Sequence, residues 1–191
     1  KDINIKTSFK TKNTKINSKE LRNYVKFDKK FFKDQFILFN SDNIIDFSLS
    51  NKNKITNLNL KSNLNFNKVK IDFLFAKVKK IVPEYNNFIL LKNNSLELDY
   101  SKNKSKLKIS GEYSLKDKYD NFQLDIFKEK SQINFESSFN INNNSLVIDQ
   151  LNYKKKQNAD AKIELIGNFT NNNFFNFKSI NISEKNNKIS I

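Results

Sequence analysis

Apolar and polar residues take turns along most of this chain. The pattern is clear in Leu58-Asn59-Leu60, Leu64-Asn65-Phe66, Leu96-Glu97-Leu98-Asp99-Tyr100 and Leu107-Lys108-Ile109. It returns in Phe122-Gln123-Leu124-Asp125-Ile126, Ile133-Asn134-Phe135 and Ile163-Glu164-Leu165. Successive side chains of a strand point to opposite faces, so a period of two describes a sheet with one apolar and one wet face. Residues 1–17 read as one strand. Further strands are predicted at 36–39, 44–49, 55–66, 88–91, 95–100, 105–115, 121–128, 131–141, 145–153, 161–169, 174–182 and 187–191. Short connections between so many strands imply antiparallel meander connectivity.

The inward set changes parity once. Leu58, Leu60, Leu64 and Phe66 are even-numbered, whereas Val69, Ile71, Phe73 and Phe75 are odd. One extra residue in a strand flips every later side chain, so a turn or bulge is expected near Asn67-Lys68. Residues 18–35 hold the main candidate helix, with Ser18 as a possible cap and Leu21, Tyr24, Val25 and Phe31 partly at helical spacing. Residues 74–87, with the single proline Pro83, read as a break or a short helical turn. Turns fall on Asn93-Asn94, Asn142-Asn143-Asn144 and Asn171-Asn172-Asn173. Asparagine tolerates positive φ and can do the work of the missing glycines. The expected fold is therefore all-β: an antiparallel meander forming an elongated, curled sheet or groove, with at most one short helix.

A weak repeat links 93–115 with 143–170. The two glycines, Gly111 and Gly167, occupy matching places in it. Glycine inside a strand marks a bulge or a close backbone approach. The repeat reads as a β-unit that stacks along a long sheet. Residues 1–191 are taken as a single β-rich segment, and because the first residue is Lys1 the segment is read as part of a longer protein.

The formal net charge is +15, with 19 phenylalanines, two glycines and one proline in 191 residues. Such a charge points first to nucleic acid. Yet Lys, Asn, Ile and Phe have AT-rich codons, Arg22 is the only arginine, and the lysines are spread along the chain rather than clustered. Mutational bias accounts for this composition, and no nucleic-acid partner is expected. Tyr85, Tyr100, Tyr113, Tyr119 and Tyr153 could stack bases, but most fall at strand ends, where tyrosine packs with its hydroxyl in water. There is no cysteine and no histidine, which excludes disulfides and thiolate or imidazole metal sites. Asp125, Glu129 and Glu136 lie among lysines at outward positions, and Asp160 has no acid partner near it in sequence. Two isolated glycines cannot build a phosphate loop. No catalytic residue, metal or cofactor is expected, and the chain is read as a non-enzyme. No run is apolar enough to span a bilayer, and the N-terminus has no signal-peptide pattern.

The apolar stripe is either the core of a β-sandwich or the lining of an open groove. With little helix to cover roughly ten strands, the sheet must close, fold onto itself or curl around something. A curled sheet with an apolar interior is a lipid trough. Its candidate lining is Leu58, Leu60, Leu64, Phe66, Leu96, Leu98, Leu107, Ile109, Phe122, Leu124, Ile126, Ile133, Phe135, Phe139, Ile163 and Leu165. The pattern gives this lining no strong polar trap.

Alternating strands, a strand-glycine-aromatic step and Asn-rich turns recur in Leu107-Lys108-Ile109-Ser110-Gly111-Glu112-Tyr113, Ile148-Asp149-Gln150-Leu151-Asn152-Tyr153 and Ile163-Glu164-Leu165-Ile166-Gly167-Asn168-Phe169. This resembles the AsmA-like superfamily, in particular the YhdP/TamB-type bacterial envelope proteins. The resemblance implies a long β-groove in the periplasm, held by an inner-membrane anchor outside this segment. It implies phospholipid acyl chains as ligands, and a role in lipid transport between inner and outer membrane or in outer-membrane biogenesis. Scarce glycine and proline depart from the family pattern. The competing expectation is a structural or adhesive β-sandwich or solenoid module of a surface protein.

Overall fold

The computed structural model describes residues 2–20, 34–72, 76–169, 175–185 and 187–191. Twelve strands are present among them: β1 Ile3–Asn17, β2 Phe36–Leu49, β3 Ile55–Asp72, β4 Phe88–Ser101, β5 Lys104–Ser114, β6 Asp120–Glu129, β7 Gln132–Asn140, β8 Leu146–Ile148, β9 Tyr153–Lys155, β10 Lys162–Phe169, β11 Phe175–Glu184 and β12 Asn187–Ser190. Ten of them form one antiparallel sheet in the order β1-β2-β3-β4-β5-β6-β7-β10-β11-β12, which does not close into a barrel. The meander skips only β8 and β9, which pair with each other as a small hairpin.

Several strands are longer than the alternation predicts. The expected pieces 36–39 and 44–49 are one strand, whose polar middle pairs with both β1 and β3 and where Asn43 Nδ2 donates to Ser41 Oγ at 2.7 Å. Conversely, the expected strand 145–153 breaks into β8, a single 3-10 turn at Asp149–Leu151 and β9. The turn closes on Asn152, whose φ of 48° is left-handed and whose N–H donates to Asp149 O. Among the described residues the positive-φ positions are all asparagines apart from Lys130 and Lys185, and neither glycine is among them. Asparagine thus does the turning. The helix expected in 18–35 falls mostly on residues outside those described, with 18–20 helical, and the turn expected at 171–173 lies outside them too. The break at 74–87 contains a short helix, Ala76–Ile81.

The parity change is where the alternation puts it. Residues 60, 62, 64 and 66 are half-buried, 67 and 68 are exposed, and Val69 is buried. The β3–β4 register runs through unbroken, from Phe66↔Asn94 to Lys68↔Lys92 and Val69↔Leu91. The slip is instead taken between β4 and β5, between Lys92 and Ser95, with Asn93 at φ 52°. Gly111 lies across from this bulge, and a Cβ there would collide with the amide of Asn94 and lie 2.9 Å from its Cα. Gly167 sits at another slip, between Ile166 and Gly167 in the β10–β11 pairing. The two stretches of the sequence repeat take different places: 96–100 stays in the main sheet as part of β4, whereas 146–148 leaves it as β8.

One end of the sheet is closed. Val82 and Tyr85 after the short helix, Tyr113 and Leu115, Ile141, Leu146 of the hairpin, Ala161 and Ile182 form the buried cluster. Leu146 is 1% exposed, and full burial of a leucine is worth about 1.5–3 kcal/mol. Tyr113 lies edge-on to Phe122 and Phe139, with centroids 6.1 and 5.9 Å away, and its hydroxyl donates to Asn140 O at 2.7 Å. Polar ties fix the covering loops. Glu84 accepts from Ser145 N at 3.1 Å and Oγ at 2.7 Å, and Asp120 accepts from the backbone N–H groups of Asn142 and Asn143.

Candidate functional site

Residues paired across an antiparallel ladder project from the same face, so the register assigns the faces. On β3 and β4, Leu64 pairs with Leu96 and Ser62 with Leu98. The rows continue as Leu96↔Ile109↔Leu124↔Ser137↔Leu165 and Leu98↔Leu107↔Ile126↔Phe135↔Gly167. A third row runs Gly111↔Phe122↔Phe139↔Ile163↔Ile182. The candidate lining residues Leu60, Leu64, Phe66, Leu96, Leu98, Leu107, Ile109, Phe122, Leu124, Ile126, Ile133, Phe135, Phe139, Ile163 and Leu165 therefore share one face. Leu58 is two residues from Leu60, beside a register slip, and is 38% exposed.

The structure divides these residues into two groups. Phe122, Phe139 and Ile163 pack against the closed cluster. Phe135 is 5% exposed, with Phe169 and Phe177 edge-on at 5.8 Å. The others, from Leu60 on β3 through Leu96, Leu98, Leu107, Ile109, Leu124 and Ile126 to Ile133 and Leu165, are half-buried, shielded on their flanks by sheet neighbours. Phe39, Ile45, Phe169 and Phe177 extend the same face and were not singled out from the sequence; Phe39 and Ile45 pair with Phe66 and Leu60. At Phe39 and Ile45 the alternation is obscured by the polar run Asn40-Ser41-Asp42-Asn43 and by the Ile44-Ile45 doublet.

The face is not free of polar groups, contrary to the pattern. Thr11, Ser41, Asn43 and Ser62 lie on it across β1, β2 and β3. They satisfy one another: Ser62 Oγ donates to Asn43 Oδ1 at 2.6 Å, and Thr11 Oγ1 and Ser41 Oγ are 2.9 Å apart. Asn94 is 2% exposed, and neither atom of its amide has a hydrogen-bond partner among the described residues. Ser137 interrupts the row between Leu124 and Leu165.

The opposite face is charged. Lys10 and Asp42 are 2.7 Å apart, Lys61 and Asp99 3.6 Å, and Lys104 and Glu129 2.9 Å. Asp125 faces Lys108 on one side and Glu136 on the other. Shallow depressions lie on this face. One of about 450 Å³ is lined by Asp42, Lys61, Glu97, Asp99, Lys106 and Lys108 among others. Asp160 is exposed. No cluster of three potential metal-ligating acids occurs among the described residues.

The tyrosines are mostly committed elsewhere. Tyr85 and Tyr113 are buried, Tyr119 lies under Lys92 Nζ at 5.2 Å, and Tyr153 donates to Glu184 Oε2 at 2.9 Å. Burial pushes the Tyr153 hydroxyl up to about 12, helped by the hydrogen bond to Glu184 and its charge. Lys155 is 2% exposed, and its ammonium donates to the carbonyls of Asn142, Asn144 and Lys156 at 3.3, 2.7 and 3.0 Å. Burial lowers its pKa, with Asp120, Glu184, Glu84 and Asp160 opposing the shift. Three converging carbonyls hold this amine as a structural clamp on the hairpin.

No described helix is long and apolar enough to cross a membrane. Comparison with family models, with curated proteins and with solved structures finds no match for this chain.

Proposed function

We propose that this chain is a non-enzymatic, lipid-shielding segment of an AsmA-like envelope protein. It acts in phospholipid transport between the inner and outer membranes or in outer-membrane biogenesis. The segment lies in the periplasm, with the inner-membrane anchor elsewhere in the protein. One observation carries the reading. A ten-stranded sheet that does not close keeps a row of half-buried Leu, Ile and Phe on one face, and the described covering elements gather at one end of it. Apolar surface left in water is costly by about 25 cal/mol per Å². Acyl chains laid along Leu96, Leu98, Leu107, Ile109, Leu124 and Ile126 would remove it from water. The internally satisfied Thr11–Ser41–Asn43–Ser62 patch offers a passing chain no unpaired donor to bind.

The test is site-specific. A photo-crosslinking residue at Leu107 should capture phospholipid in cells, whereas the same residue at Lys106, its neighbour on the charged face, should not. Equal capture at both positions, or none at either, would contradict the proposal.

A further inference from the structure

The apolar face has a direction along its strands. On β6 its positions are Phe122, Leu124, Ile126 and Lys128. Phe122 packs into the closed cluster, edge-on to Tyr113. Lys128 stands at the other end, beside the hairpin turns, and is exposed. Its row across the sheet reads Tyr100↔Ser105↔Lys128↔Ile133↔Phe169. In the four rows from Gly111–Phe122 to Ser105–Lys128, across β4 to β7 and β10, Lys128 is the only charged residue on this face.

Lys128 forms no ion pair among the described residues. The adjacent acid, Glu129, leaves from the opposite face and is held by Lys104 at 2.9 Å. Two more exposed lysines, Lys102 and Lys130, lie in the turns at this end. Those turns are tied together, since Lys130 N–H donates to Asn103 O at 2.9 Å. Hydroxyls of Ser105 and Tyr100 belong to the same row, and Tyr100 is 39% exposed. The face therefore runs from a cationic, hydroxyl-bearing rim, over leucine and isoleucine, to an aromatic stop.

An anionic amphiphile has the complementary order of polarity. The run from Phe122 to Lys128 spans about 20 Å at the rise of an extended strand. A bilayer's hydrocarbon core is about 30 Å thick, so one leaflet's acyl chain occupies about 15 Å and fits this run. We infer that the groove takes phospholipid with an anionic headgroup, its phosphate at Lys128 and an acyl chain running along β5 and β6 toward Phe122. The inference rests on the lipid-shielding reading and adds to it the class of headgroup and the direction of the chain. A zwitterionic headgroup carries its own cation beside the phosphate and gains less from the lysine.

The test offers the purified chain phosphatidylglycerol and phosphatidylcholine with identical acyl chains, at equal concentration in detergent, and reads both complexes by native mass spectrometry. The wild type should favour phosphatidylglycerol by about fivefold, the effect of one lysine close to anionic lipid. Lys128→Gln should bind both lipids equally and Lys128→Arg should keep the preference. Lys106→Gln, on the charged face, should leave it unchanged. Phosphatidylglycerol with a photoreactive headgroup should label the chain near Lys128, and with the reactive group at the end of an acyl chain, near Phe122. Equal binding of the two lipids by the wild type would overturn the inference and leave the lipid-shielding reading standing, whereas binding of neither would overturn both. A preference that survives Lys128→Gln, or labelling in the reverse order, would also overturn the inference. So would a preference seen only with vesicles, which would put these lysines on a membrane surface instead.

Discussion

The ring of Phe135 lies over Gly167, where a Cβ would sit 2.6 Å from its Cζ and closer still to the carbonyl oxygen of Asn176. Glycine at this position is a packing requirement, since its φ is not positive. The contact joins β7 to β10 at the β10–β11 slip and locks the aromatic group of Phe135, Phe169 and Phe177.

Gly167→Ala should therefore lower stability by about 1–3 kcal/mol, the usual cost of overpacking. Urea unfolding of the single variant, of Phe135→Leu and of the double variant measures the coupling between them. Phe135→Leu should rescue part of the alanine defect, and only part, because the Asn176 carbonyl is backbone. Strict additivity would show that the ring contact is not what excludes a Cβ.

Lys155 has the opposite character: a charge where a hydrophobe would be expected. Lys155→Met removes the donor that three carbonyls share and should cost about 1–3 kcal/mol. Because the clamp is local, hydrogen exchange should quicken in 142–160 more than in β4 to β6. A uniform change across the chain would mean that the hairpin does not open on its own.

Tyr153 makes stability depend on alkaline pH. Its pKa is raised in the folded chain from 10.0 to about 12. Between these values the unfolded chain loses the proton while the folded chain keeps it. The unfolded state then binds fewer protons, and stability falls as pH rises. The contribution is fully present below pH 10 and disappears as pH passes about 12. The difference in melting temperature between wild type and Tyr153→Phe should shrink across that range. A constant difference would show that the hydroxyl does not titrate with folding.

The main sheet was legible in the sequence because alternation is a direct image of strand geometry. Leu96 to Tyr100 and Phe122 to Ile126 needed no further information, and even the flip near Asn67 was visible as a change of parity. Its physical seat was not: the extra residue is accommodated at Asn93, against a glycine that has no side chain to displace. The β8–β9 hairpin was missed because Leu146-Val147-Ile148 is an apolar run without alternation, and such a run does not say whether it joins the sheet or covers it. Lys155 sits in Lys154-Lys155-Lys156, where composition predicts solvent for all three; only tertiary carbonyls distinguish the middle one. The polar patch of Ser41, Asn43 and Ser62 was obscured for a similar reason, since its partners come from different strands.

Leu124 is the residue on which the lipid proposal turns, half-buried in the apolar row between Ile109 and Ser137 and outside the closed cluster. Phe135→Asp would instead test packing, because that ring is buried. The most direct measurement is native mass spectrometry of the purified chain, with lipid extraction of the same sample, for wild type and Leu124→Lys. Circular dichroism checks that both remain folded. The account predicts phospholipid bound to the wild type and lost from the folded variant. A ligand-free mass from folded wild-type chain, with no lipid in the extract, would contradict it.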